Sequence, residues 1–105
     1  MGNLRIMIAD DHELVRRGLR AFLQTTPGWE VVTEAADGLE AVAMADKYRP
    51  DLIIMDLCMP GLNGLDATRR ICENGIPADI LIITFYDTPD LASSVLAAGA
   101  CGYVL

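Results

Sequence analysis

Short apolar runs alternate with longer amphipathic segments along the whole chain, and this alternation restricts the folds that the sequence can adopt. The short runs predict strands, and the longer segments carry apolar residues at helical spacing. A strand–helix pair repeated four times and followed by a last strand predicts a parallel sheet with helices on both faces. The predicted strands are 4–9, 30–36, 52–55, 80–83 and 102–105, and the predicted helices are 12–24, 37–49, 65–73 and 88–99.

Polar residues follow three of the predicted strands. Asp10 and Asp11 come after the first strand, Asp56 after the third and Thr84 after the fourth. In the flavodoxin-like strand order 2-1-3-4-5, the first and third strands are neighbours at the point where strand order reverses, and ligands bind beyond the strand ends there. We therefore expect three carboxylates and a hydroxyl to lie together at one edge of the sheet.

The chemistry of such a cluster favours a cation. Neighbouring carboxylates repel one another, and this raises the pKa of at least one of them unless a cation lies between them. Oxygen ligands of this kind are the ones that Mg²⁺ prefers. A metal beside a free carboxylate also prepares phosphoryl transfer, in which Asp56 would form an aspartyl phosphate.

Each acid also has a purely structural interpretation. Asp11, or less readily Asp10, could cap the helix that begins near His12. Asp56 precedes a loop rather than a helix start, so capping explains it poorly. Asp37 has the pattern of a capping box and is interpreted as a cap only. His12 is the only histidine, and we interpret it as a surface residue, with proton transfer as the alternative.

Composition excludes several classes of function. A net charge of −7 does not suit a chain that binds nucleic acid by itself. Three cysteines without zinc spacing argue against a disulfide framework or a zinc site, and they favour a reducing compartment. No apolar run approaches the roughly 20 residues of a membrane span. We expect one cytoplasmic domain over residues 1–105, without a membrane partner.

Taken together, the motifs resemble the receiver domain of two-component response regulators. The stretches that carry the resemblance are "IMIADDHELVRRGLRAFL", "EAADGLEAV", "PDLIIMDLCMPGLNGLDATRRI", "ILIITFYD" and "LAAGACGYVL". They stand in the family's order and cover nearly the whole chain. "DDHELVRRGL" and "AGACGYVL" resemble the NarL/FixJ subfamily, which has a LuxR-type helix-turn-helix. The resemblance implies a CheY-like α/β fold, here lacking its fifth helix, and a DNA-binding output domain absent from this chain.

The resemblance also implies roles for individual residues. Asp56 would accept a phosphoryl group from a sensor histidine kinase, so the chain would be a phosphoacceptor signalling domain and not an enzyme. The implied Mg²⁺ ligands are Asp10, Asp11, Asp56 and the backbone carbonyl of Cys58. Thr84 would bind the phosphoryl group and move toward it. Tyr103 would change its rotamer with that movement and so alter the surface of the domain. DNA would be contacted only through the output domain.

The sequence departs from the family pattern at two places. The family has a lysine at the end of strand five, whereas the only lysine here is Lys47, in the second predicted helix. The chain ends at Leu105, where that lysine would follow, and we interpret the chain as truncated. Phe85 stands after the switch threonine, where a small residue is usual. Its ring would crowd the phosphoryl site and slow access.

Other interpretations remain at this point. A pseudo-receiver would keep the fold as an interaction module without being phosphorylated. A phosphatase with an aspartyl intermediate would want a second acid at position 58, which is Cys58. A flavodoxin-like flavin site would want a Ser/Thr-rich loop after strand one. An exposed last strand and an uncovered apolar face would favour a homodimer.

Overall fold

The computed structural model describes residues 3–84 and 90–105. The described strands are β1 (Leu4–Ala9), β2 (Trp29–Ala35), β3 (Leu52–Asp56), β4 (Asp79–Ile83) and β5 (Gly102–Val104). The described helices are α1 (Glu13–Leu23), α2 (Gly38–Tyr48), α3 (Gly64–Glu73) and α4 (Leu91–Ala98). The predicted type and order of the elements are confirmed, and the bounds shift by a few residues at most of the ends.

The five strands form one parallel sheet in the predicted order, β2-β1-β3-β4-β5. The last residue of β1, Ala9, pairs with Met55, and Asp56 pairs with Ile83 at the end of β4. The carboxyl ends of β1, β3 and β4 therefore lie level with one another. This alignment brings the residues that follow those strands to the same edge.

The two faces of the sheet are covered unequally. The larger core cluster lies on one face, where side chains of β1, β3 and β4 pack with α2, α3 and α4. The other face carries a smaller cluster beneath α1. Its buried members are Ile6, Ile8, Leu23, Val31 and Ile54. Each helix in the described part of the chain is too short or too polar to cross a membrane.

One flank of α1 is apolar and open to solvent. Leu14 is 82% exposed and Phe22 is 71% exposed, and Val15, which is 40% exposed, lies two helical turns before Phe22 on the same side of the helix. Ile83 is half-buried and Val104 is exposed. Both lie on the side of the sheet that carries the smaller cluster. We call this surface of α1 and the neighbouring strands the α1 face. The sequence predicted an uncovered apolar face beside an exposed last strand, and Val104 of that strand belongs to this surface.

Helix ends follow local sequence signals. The Asp37 side chain accepts a hydrogen bond from the Glu40 amide at 2.8 Å, and Glu40 accepts one from the Ala36 amide at 2.8 Å, so Asp37 is a cap. α4 ends at Gly99, whose φ of 107° suits glycine. The predicted cap of α4, Thr88, lies outside the described residues. In the described part, α4 begins after Asp90.

Candidate metal centre

Four potential ligand residues gather at the carboxyl edge of the sheet. Asp10 and Asp11 follow β1, His12 begins the turn into α1, and Asp56 ends β3. One ligand atom from each of these residues lies within 4.8 Å of the other three. The two backbone segments that supply them are held side by side by the β1–β3 pairing.

Asp56 is a buried carboxylate with one amide partner. Asp56 is 8% exposed, and its Oδ1 accepts a hydrogen bond from the Cys58 amide at 3.2 Å. Burial raises the pKa of Asp56 from 3.8 to about 6, and the charges of Asp10 and Asp11 add to the increase. The Cys58 amide opposes it. A cation placed here would favour the ionised form of Asp56.

The turn after β1 is organised around Asp10. Its Oδ1 accepts hydrogen bonds from the His12 amide at 2.7 Å and from His12 Nδ1 at 3.0 Å. Nδ1 also lies 3.1 Å from Asp11 Oδ1. The hydrogen bond to Asp10 and the charge of Asp11 raise the pKa of His12. His12, not Asp11, occupies the N-cap position, so the capping interpretation of Asp11 is wrong.

Arg16 supports this turn from below. Its Nη1 donates to the Asp10 carbonyl oxygen at 2.6 Å, and its Nε lies 3.1 Å from Glu34 Oε1 on β2. Arg20 reaches the other oxygen of Glu34 at 2.7 Å. α1 is thereby fastened to β2 and to the backbone of the acidic turn. Local sequence carries no signal for this contact, because only the tertiary pairing of α1 with β2 brings Arg16 to Glu34.

Thr84 and Tyr103 lie on the strands beyond β3. Thr84 is 1% exposed, and its amide donates to the Val104 carbonyl at 3.0 Å. It follows Ile83, the pairing partner of Asp56, so it stands one strand away from the acids. Tyr103 pairs with Ile82 and packs half-buried against the larger core cluster. Phe85 lies outside the described residues.

Gly64 allows α3 to begin close to the end of β3. A Cβ at this position would overlap the carbonyl oxygen of Asp56, and the Gly64 amide donates to the Leu57 carbonyl at 2.9 Å. The loop between them includes the exposed Cys58, which borders an open depression of about 570 Å³. Gly64 is not among the site residues predicted from the sequence. The only sequence feature that could have indicated its role is its place just before the predicted helix.

Lys47 lies away from the acids. It belongs to the last turn of α2, and its Nζ is 5.3 Å from the centre of the Tyr48 ring. The chain next enters β3 at Leu52, the end of that strand opposite to Asp56. The only lysine of the chain is therefore at the edge of the sheet that faces away from the carboxylates.

A parallel sheet in this order, with an acidic cluster at its switch point, is a CheY-like fold. The chain belongs to the response regulator receiver domain family, whose description it matches over residues 6–105. It is a receiver domain of the kind found in two-component response regulators.

Relatives of known name are similar over nearly the whole chain. The transcriptional regulatory protein LiaR of Bacillus subtilis is 43% identical over 102 residues, which are 97% of this chain and 48% of that protein. The nitrate/nitrite response regulator NarP of Escherichia coli is 43% identical over 96% of this chain and 47% of its own length. The chain thus spans about half the length of these curated relatives.

Solved structures share the fold closely. The signal receiver domain of a NarL response regulator from Mycobacterium tuberculosis matches with a TM-score of 0.93 and 30% identity, over 98% of this chain and 83% of that one. A chain of the CheX–CheY–BeF₃–Mg²⁺ complex of Borrelia burgdorferi matches with a TM-score of 0.89 and 25% identity, over 97% of this chain and 77% of that one.

Proposed function

We propose that this receiver domain accepts a phosphoryl group on Asp56 from a phosphohistidine of a sensor histidine kinase. One observation carries the proposal: a buried carboxylate with a raised pKa lies within 4.8 Å of Asp10 and Asp11, ligand atom to ligand atom. Burying such a group costs free energy without a cation. An arrangement that is unfavourable for stability is typical of a functional site.

The donor set fits Mg²⁺. Carboxylate oxygens predominate among the possible ligands. Asp56 is buried and Asp11 is exposed, so the solvent side of the site leaves room for water ligands. Asp10, Asp11 and Asp56 would hold the ion, and the backbone carbonyl of Cys58 would complete the protein ligands. When bound, Mg²⁺ neutralises charge on the transferring phosphoryl oxygens.

Asp56 supplies the nucleophile in this proposal. Its ionised carboxylate attacks phosphorus, so that an oxygen–phosphorus bond forms while the nitrogen–phosphorus bond of the phosphohistidine breaks. The Cys58 amide, 3.2 Å from Oδ1, holds the carboxylate in one orientation. The leaving imidazole keeps the electron pair of the broken bond and takes up a proton.

Thr84 and Tyr103 form the response part of the proposal. Thr84 stands one strand from Asp56 and can bind the phosphoryl oxygens through its hydroxyl. Tyr103 lies on the next strand, β5, and packs against the core beside α4. Movement of Thr84 toward the phosphoryl group would change the packing of Tyr103, which is a local charge event acting on a two-state element.

We further propose that the output is transcriptional control from the cytoplasm. Relatives such as LiaR are named transcriptional regulatory proteins and are about twice this length, and the net charge of −7 argues against DNA binding by residues 1–105 themselves. The histidine kinase is the upstream partner. Pairing of two copies through the exposed last strand and the uncovered apolar face is part of the same proposal.

A pseudo-receiver is the second candidate. The single lysine, Lys47, lies at the wrong edge of the sheet to pair with a phosphoryl group on Asp56. A domain with this fold could bind partners without being phosphorylated. The complete set of three acids argues for the phosphoacceptor instead, because an interaction module gains nothing from a buried carboxylate.

Intact-protein mass spectrometry after incubation with acetyl phosphate tests the proposal. The wild type should gain one phosphoryl group with Mg²⁺ and none with EDTA, and Asp56→Asn should gain none. Asp37→Asn is the matched control, since Asp37 caps α2 and should leave labelling intact. If the wild type gains no phosphoryl group at saturating Mg²⁺, the pseudo-receiver interpretation replaces this one.

A further inference from the structure

His12 is a fourth possible donor in a site otherwise made of carboxylates. Its Nδ1 lies 3.0 Å from Asp10 Oδ1 and 3.1 Å from Asp11 Oδ1. It belongs to the same set of mutually close ligand atoms as Asp56. The imidazole is 63% exposed, so the hydrogen bond to Asp10, and not packing against the core, holds the ring toward the acids.

These separations suit neighbouring ligands of one ion. An octahedral ion with bonds of about 2.1 Å places adjacent ligand atoms about 3.0 Å apart and opposite ones about 4.2 Å apart. His12 Nδ1 is hydrogen-bonded to Asp10 Oδ1 at 3.0 Å and paired with Asp11 Oδ1 at 3.1 Å, and both separations equal the spacing of adjacent ligands. A bound ion would therefore displace the proton on Nδ1 with little movement of these atoms. The four ligand atoms all lie within 4.8 Å of one another, so small side-chain shifts would place them around one ion.

Imidazole changes which metals such a site prefers. Carboxylates and water suit Mg²⁺, whereas imidazole suits cobalt, nickel, copper and zinc. We propose that His12 is a metal ligand of the acidic site and makes it bind divalent transition ions more tightly than its three carboxylates alone would. This inference rests on the proposed metal site, and it adds a competing class of ion that would occupy the position of Mg²⁺.

Calorimetric titration with Co²⁺ and with Mg²⁺ separates the two ions. His12→Gln should weaken Co²⁺ binding by about tenfold or more, since loss of even an outer-shell partner of a metal ligand typically costs about that much, and should change Mg²⁺ binding by less than about threefold. Glu13→Gln is the matched control, because Glu13 is the next residue and its carboxylate pairs with Arg17 at 2.8 Å. It should leave both affinities unchanged.

The single histidine makes a direct test possible in the wild type. In protein made without a histidine tag, the imidazole proton signals in the NMR spectrum belong to His12 alone. One equivalent of Co²⁺ should shift these signals strongly through its unpaired electrons, and excess Mg²⁺ should reverse the shift. The optical spectrum should show no thiolate-to-cobalt charge-transfer band, which would report binding to Cys58 instead.

Equal Co²⁺ affinity in the wild type and His12→Gln would overturn the inference, as would a thiolate band with unshifted His12 signals. Neither outcome affects the proposed function, because Mg²⁺ binding and labelling of Asp56 are measured independently. Loss of Mg²⁺ binding in the wild type, in contrast, would contradict the proposed function itself.

Discussion

Asp56 combines burial with a charge that the receiver proposal needs. Because the pKa of Asp56 is about 6, this side chain is ionised in most molecules at neutral pH, although its position is poorly solvated. Asp10 and Asp11 add negative charge rather than compensation. Without a bound cation, the negative charge at this site therefore destabilises the folded state, and this should lower the free energy of unfolding.

Asp56→Asn should raise the free energy of unfolding by on the order of 1–2 kcal/mol at pH 8 without divalent ions, because the amide keeps the shape and loses the charge. The folded pKa, about 6, lies above the ordinary value of 3.8. The gain should therefore be complete above pH 6 and disappear as pH falls toward 3.8. Urea unfolding across this range measures it. A gain that does not change with pH would contradict the assignment.

At the residue scale, position after a strand was the informative signal. Asp10, Asp11 and Asp56 could be placed together because parallel strands end at a common edge. The contact of His12 with two of these acids could not, since it depends on the exact path of the turn and on the rotamer of one exposed side chain. The sequence showed only that a histidine adjoins the acids.

The junction of β3 and α3 shows how an element positions the site. Gly64→Ala should lower the free energy of unfolding by about 2 kcal/mol or more, because its Cβ would overlap the Asp56 carbonyl and backbone cannot move aside cheaply. It should also weaken Mg²⁺ binding by displacing Asp56. Chemical denaturation and metal titration of the same variant measure both effects.

Gly18→Ala is the matched control for that substitution. Gly18 lies within α1 with no atom within 4 Å of a Cβ at this position, so alanine should stabilise the protein by about 0.5–1 kcal/mol. If Gly64→Ala behaved like Gly18→Ala, the close approach of α3 to the end of β3 would be refuted.

The contacts of Arg16 predict how firmly α1 is held to the sheet. Arg16→Ala should cost about 1–2 kcal/mol, since its half-buried guanidinium joins Glu34 and the Asp10 carbonyl. Arg17→Ala, which removes an exposed pair with Glu13, should cost less than about 0.5 kcal/mol. Equal costs in thermal or urea unfolding would show that the Arg16 contacts do not stabilise the fold.

At the element scale, hydrophobic periodicity was enough for type and order. β3 is an uninterrupted apolar run, as expected for a strand buried inside a parallel sheet. The ends of strands were harder to predict. β2 begins one residue early, at Trp29, because pairing with Leu4 extends it, and such pairing is invisible in local sequence.

The whole molecule has one face that its own described helices leave partly open. Expressed alone, these 105 residues should self-associate through the α1 face, where Leu14 and Phe22 are largely exposed. Phe22→Glu should shift light scattering at high concentration toward the monomer. Leu39→Glu, at a side chain that is 60% exposed on α2, should not. A wild-type monomer throughout the concentration series would argue against this prediction.

The central claim is that the acids after β1 and β3 share a single divalent ion beside Asp56. A crystal structure with Mn²⁺, located by its anomalous scattering, tests it most directly. We expect one peak at about 2–2.5 Å from a carboxylate oxygen of Asp56 and from one of Asp10 or Asp11. Ions bound by these carboxylates separately, or no ion among them at saturating Mn²⁺, would contradict the account.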